Sequence, residues 1–160
     1  MLNKYLYSLV LTTAISGAAV SSAHAKSSCM PIGGIAIASF FAEGEGKPII
    51  ISASLMGSVN NAAGKITEKR KTSTGLEMDM EHYFGRDDGG AFQTKDLAIL
   101  TSVNGKPGRY MIEITYDIQE NVTRGTMKGY KGQFKSYGLV DLSDPNNMQG
   151  LIRYSGKICK

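Results

Sequence analysis

The chain has 160 residues, 42% of them hydrophobic, a length that fits one domain with a sizeable core. Its net charge of +4, one lysine of which (Lys4) lies in the leader described below, is too small a basic balance to imply a nucleic-acid partner. Two cysteines allow at most one internal bridge, and two histidines, one of them in the leader, exclude a multi-histidine metal site in the exported part.

Residues 1–25 read as a secretory signal peptide. Lys4 supplies the positive start, residues 6–20 form the apolar middle, and Ala23-His24-Ala25 is a small-x-small cleavage site. The mature protein is then a single domain over 26–160, expected in the periplasm or the secreted fraction. No run of about 18 apolar residues follows, so no membrane-spanning helix is expected. Lys26-Ser27-Ser28 does not resemble the small apolar motif that precedes a lipidated cysteine, which makes Cys29 a disulfide partner for Cys159. Unpaired or intermolecular thiols are the alternative. A bridge between these residues requires the first and last structured segments to be neighbours. With no Cys-x-x-Cys and no second pair, its role is structural.

Between the cysteines, Gly and Asn punctuate segments that alternate apolar and polar residues, the pattern of strands. Strands are expected at 33–41, 48–57, 64–71, 76–84, 90–101, 109–120, 130–142 and 150–159. Turn chemistry fills the gaps: Glu43-Gly44-Glu45-Gly46, Thr72-Ser73-Thr74, Arg86-Asp87-Asp88-Gly89, Asn104-Gly105-Lys106-Pro107-Gly108 and Ser143-Asp144-Pro145-Asn146-Asn147. A short helical turn is expected at 59–63 and an irregular connection at 121–128. The clearest strand carries Tyr110, Ile112, Ile114, Tyr116 and Ile118 on one face and mostly polar residues on the other. About eight antiparallel strands whose ends are bridged favour an all-β closed barrel, which also removes unpaired edges; a sandwich is the alternative.

Gly129-Tyr130-Lys131-Gly132-Gln133-Phe134, then Ser136-Tyr137-Gly138, then Gly150-Leu151-Ile152-Arg153-Tyr154-Ser155-Gly156 resembles the closing strands of allene oxide cyclase–like barrels, the group that includes dirigent proteins. Gly89-Gly90-Ala91-Phe92 is similar to the glycine-led central strand of that group. The resemblance implies a barrel and hints at a cyclase or isomerase that holds its substrate's shape. It carries no catalytic residue onto this chain. Tyr130, Phe134, Tyr137 and Tyr154 are expected to pack around the glycines of these strands.

The segment Glu77-Met78-Asp79-Met80-Glu81-His82-Tyr83 draws most attention for chemistry. As a strand it places Glu77, Asp79, Glu81 and Tyr83 on one face and Met78, Met80 and His82 on the other. Three carboxylates in a row suit a hard cation such as calcium or an acid of raised pKa. A three-residue turn at 72–74 would instead set Lys69 opposite Glu77, Thr67 opposite Asp79, Lys65 opposite Glu81, Ile66 opposite Met80 and Arg70 opposite Leu76. That is an ordinary solvent-side charge ladder, and it is the preferred reading. His82, Tyr83, Glu81, Asp79 and Glu77 are the candidate ligand-binding residues, with His82 and Tyr83 nearest to any barrel pocket. No nucleophile motif, phosphate loop, metal site or cofactor signature is found. The expected function is non-catalytic binding of an apolar or amphipathic small molecule by an exported bacterial barrel. An enzyme of the cyclase or isomerase kind and a partner-binding protein acting through its outer face are the alternatives. A cavity would favour the first two; a tightly filled interior with an exposed apolar patch would favour the third.

Overall fold

A chain whose residues alternate over long stretches forms strands with one apolar and one polar face, and such strands must curl or stack to bury the apolar side. The computed structural model describes residues 28–42, 44 and 46–160 and resolves this demand by closure. The strands are β1 (Cys29–Ala42), β2 (Ile49–Gly57), β3 (Asn61–Lys71), β4 (Gly75–Gly85), β5 (Ala91–Ser102), β6 (Arg109–Ile118), β7 (Gln133–Asp141) and β8 (Met148–Cys159). Each pairs antiparallel with the next, and β1 pairs with β8, so the expected eight-stranded antiparallel barrel is the barrel observed. Cys29 lies directly opposite Cys159 in the β1–β8 register, and the two form a disulfide across 130 positions of sequence. No described helix is long and apolar enough to cross a membrane. The leader and its cleavage site after Ala25 lie outside the described residues, as do Glu43 and Glu45.

Three local expectations are corrected. No helical turn occupies 59–63: β3 begins at Asn61, and the Leu55 N–H donates to the Asn60 carbonyl at 2.8 Å, so the backbone turns straight from one ladder into the next. β1 begins at Cys29 rather than at 33, because β8 supplies a ladder partner all the way to the disulfide. The irregular connection is present, but longer than 121–128: two single 3₁₀ turns, Glu120–Val122 and Gly125–Met127, join β6 to a β7 that starts at Gln133 instead of Tyr130.

The barrel has two unlike ends. At one end Ile32, Val59, Phe92, Ile118, Met127 and Ile158 are all buried and fill the lumen. Just inside this plug lies an aromatic stack, with Phe84 against Phe92 (centroids 5.0 Å) and Tyr116 against Phe134 (4.5 Å, planes 9° apart). Turns at this end are tied to each other. Arg86 Nη1 donates to the Ser58 carbonyl at 3.0 Å, Asn60 Nδ2 to Asp87 at 2.7 Å, and Thr126 Oγ1 to Asp88 Oδ1 at 2.9 Å. The Arg86 guanidinium, helped by the Thr126 hydroxyl and the Gly90 N–H, holds the Asp88 carboxyl well below the usual carboxylate range. Gly125 is required where it stands, at φ +57° with the Gly89 carbonyl 2.1 Å from where a Cβ would be.

A cavity in the barrel lumen

Alternation fixes which side chains enter the lumen. β4 sends in Met78, Met80, His82 and Phe84; β5 sends Phe92, Thr94, Asp96, Ala98 and Leu100; β6 sends Ile112, Ile114 and Tyr116. β1 to β3 contribute Ala36, Ala38, Ala53 and Ala62 alongside Phe40, Ile51, Leu55 and Ile66. The four alanines leave the lumen only partly filled. The result is a predominantly apolar cavity of about 290 Å³, close to the lower end of the roughly 300–1,000 Å³ typical of small-molecule sites. Its depth is lined by buried side chains, whereas Ile49, Lys69, Leu76, Gly108, Tyr110 and Leu142 at its other limit are partly or fully exposed, so it opens at the end opposite the aromatic plug.

The floor is polar at two points. His82 Nδ1 lies 2.6 Å from Asp96 Oδ2, with the Asp96 side chain fully shielded from solvent. Burial pushes the Asp96 carboxyl above the ordinary carboxylate range, and the bond to His82 works against that shift. Beside the pair, Tyr116 Oη and Ser136 Oγ are hydrogen-bonded at 3.1 Å, and burial raises the Tyr116 hydroxyl so that it stays a neutral phenol. Two buried polar atoms, Asp96 Oδ1 and Thr94 Oγ1, have no hydrogen-bond partner among the described residues. Room for the imidazole comes from Gly64, its cross-strand neighbour: a Cβ there would stand 2.5 Å from His82 Cδ2. With Nδ1 engaged by Asp96, Nε2 is the atom His82 has left for a molecule in the cavity, which the residue lines.

Of the five candidate ligand-binding residues, His82 alone enters the lumen. Glu77, Asp79, Glu81 and Tyr83 lie on the outer wall, so the strand divides the group and does not gather it. Lys65 stands opposite Glu81 and Ile66 opposite Met80, as the turn geometry predicts, with Lys65 Nζ 3.1 Å from Glu81. Beyond Ile66 the expected register fails. A bulge at Thr67 shifts it by one residue, so Glu68 faces Asp79, Lys69 faces Met78 and Arg70 faces Glu77. Arg70 then holds three carboxylates: Asp79 at 2.7 Å, Glu77 at 2.9 Å and Glu68 at 3.0 Å. Its guanidinium keeps the Asp79 carboxyl below its usual range. No cluster of three or more His, Cys, Asp or Glu able to hold a metal ion occurs among the described residues.

Phe134 and Tyr154 are buried in the lumen, Tyr130 packs against the core from its edge, and Tyr137 departs from expectation by facing outward, 52% exposed. Tyr137 alternates with Phe134 and Ser136, which take the inner face of β7. The outer wall also carries a cross-strand apolar row, Ile37–Leu151–Leu139–Met111, running over β1, β8, β7 and β6.

Asp96 and Tyr116 are lumen residues that the sequence motifs did not point to, and Lys69, expected opposite Glu77 on the outer face, lines the cavity instead. Asp96 had a signal: it shares the period-two face of Phe92, Ala98 and Leu100, and an acid on an apolar face is a buried-charge alert. No family model matches the chain, and no curated protein or solved structure matches it.

Proposed function

We propose that the protein is an exported carrier or receptor that binds an apolar or amphipathic small molecule inside its barrel without transforming it. The carrying observation is the apolar cavity of about 290 Å³, whose more exposed lining residues gather at the end away from the aromatic plug. A core optimised for stability alone packs to near-crystalline density, and large-to-small voids cost stability in proportion to their volume. Four lumenal alanines beside an unfilled volume are therefore a costly arrangement unless something occupies the space. The terminal disulfide supports an oxidising compartment, the periplasm or the outside of the cell, in keeping with the leader-like residues 1–25.

The test is native mass spectrometry of the protein purified from its own compartment, paired with Ala38→Phe, which inserts a ring into the cavity. A small molecule that co-purifies with the wild type and is missing from folded Ala38→Phe supports lumenal binding. A wild-type protein without a bound molecule, and without affinity for any apolar probe, contradicts it.

One observation favours a second reading, an enzyme of the cyclase or isomerase kind that the glycine pattern's resemblance implies. The His82–Asp96 pair sits on the cavity floor beside the Tyr116 phenol, a base and a hydroxyl donor of the kind that moves a proton within one molecule. The recovered ligand separates the two readings. If apo protein returns it unchanged, the binding reading holds. If an isomer of equal mass accumulates, and does not with His82→Asn, the enzyme reading replaces it.

A further inference from the structure

Resting on the lumenal-binding reading, we infer that the ligand is an amphiphile with an anionic head, bound tail first, its head held at the mouth by Lys69. The β3 bulge decides which charged side chains face the mouth. Uninterrupted alternation from Ile66 would turn Glu68 and Arg70 toward the lumen and Lys69 away from it. The register shift reverses all three: Glu68 and Arg70 pair with Asp79 and Glu77 on the outer wall, and Lys69 pairs with the lumenal Met78. The shift is pinned where it occurs, because Thr67 Oγ1 donates to the Asp79 carbonyl at 3.0 Å. One extra residue thus takes both Glu68 and Arg70 off the lumenal face and leaves Lys69 as the charged group there.

The two neighbouring cations differ in what they have left to bind. Arg70 is committed to three carboxylates. Among the described residues Lys69 makes no ion pair, and it is the only Lys, Arg, Asp or Glu of them that lines the cavity. Its rim position lets it meet an anion that keeps part of its hydration, which avoids the heavy cost of burying a charge.

The floor disfavours the opposite orientation. A carboxylate or sulfate driven to the base of the cavity would lose its water and meet the buried Asp96 carboxyl beyond His82. An alkyl tail meets Met78, Met80, Ile112 and Ile114 along the way and the aromatic stack at the end. The volume sets the scale. About 290 Å³ suits a medium-length chain and is small for a sterol or a two-chain lipid.

Isothermal titration calorimetry at low salt, below the micelle concentrations, with decanoate, decanol and decyltrimethylammonium tests this. Wild type should bind decanoate about fivefold more tightly than decanol, the scale of one partly exposed ion pair, and the ammonium least tightly. Lys69→Met should bring decanoate down to decanol and leave decanol unchanged; Lys69→Glu should favour the ammonium. Added salt should shrink the wild-type preference for decanoate, a check that needs no variant. Equal binding of decanoate and decanol by wild type, or a preference that survives in Lys69→Met, overturns the inference and leaves lumenal binding standing. Binding of none of the three overturns the lumenal reading and the inference together.

Discussion

At the plugged end of the barrel, the turns after β2 and β4 and the connection after β6 hydrogen-bond to one another through Arg86, Asn60, Asp88 and the paired backbones of Ala91 and Arg124. At the mouth, the described bonds stay within a turn or extend a neighbouring ladder, as in Lys106 N–H to the Val103 carbonyl (3.1 Å) or Leu142 N–H to the Gly108 carbonyl (2.8 Å). The plug also holds the aromatic stack and the disulfide, whereas at the rim Ile49, Leu76, Tyr110 and Leu142 stay partly exposed beside the buried Phe40 and Met148. Regions with few cross-ties and little burial open at low free-energy cost, and ligands enter through such regions. The contrast teaches a division of labour. One end fixes the barrel's shape, and the other admits a guest to a floor already in place.

The largest effect should come from Phe134→Ala. The ring is 2% exposed and contacts Tyr116, Phe84, Phe92 and Tyr154, so its loss should cost about 3–5 kcal/mol in urea unfolding. A loss under about 1 kcal/mol would mean the aromatic stack does not organise the closed end.

Next in size is the bridge. Replacing Cys29 and Cys159 together with Ser should lower stability by about 2–4 kcal/mol while the far-ultraviolet circular dichroism stays that of a β protein, because the β1–β8 ladder persists without it. Loss of the β signal would show that the ladder depends on the covalent tie.

A pH-dependent effect should follow from the floor. The folded protein holds the Asp96 proton more tightly than the unfolded chain does, because burial raises its pKa. Wild type therefore loses stability from this group as pH rises from the ordinary aspartate range through the raised value. Asp96→Asn has no such slope. Melting temperatures of the two proteins, followed from about pH 4 to pH 7, should move steadily in the variant's favour. Movement in the other direction would mean that the bond to His82 outweighs burial.

The smallest effect belongs to the mouth. Ser73→Ala, in the exposed turn between β3 and β4, should change stability by no more than about 0.5 kcal/mol. A cost comparable with that of the bridge would erase the contrast between the ends.

Much of the barrel is legible in the sequence, because each strand carries its own alternation and each turn its own Gly, Asn or Asp. The cysteines, placed at the outer limits of β1 and β8, announce closure. The lumenal placement of His82 follows from sharing a face with Met78 and Met80. The mouth is harder to read. Thr67 has no residue type that demands a bulge, so simple alternation assigns Glu68, Lys69 and Arg70 to the wrong faces, and the lumenal lysine is hidden with them. The cavity is also hidden, since it depends on how side chains of separate strands, the four alanines among them, meet across the barrel. Cross-lumen pairing leaves no trace in local periodicity.

The most direct test of a lumenal binding site uses the protein's own methionines. Met78 and Met80 line the cavity and are 2% and 3% exposed, while Met56 and Met111 stand on the outer wall at 62% and 51%. With ¹³C-methyl-labelled methionine, an NMR titration with decanol should move the Met78 and Met80 resonances saturably and leave those of Met56 and Met111 in place. Saturable shifts at Met56 or Met111 with Met78 and Met80 unmoved would put binding on the outside of the barrel and contradict the account.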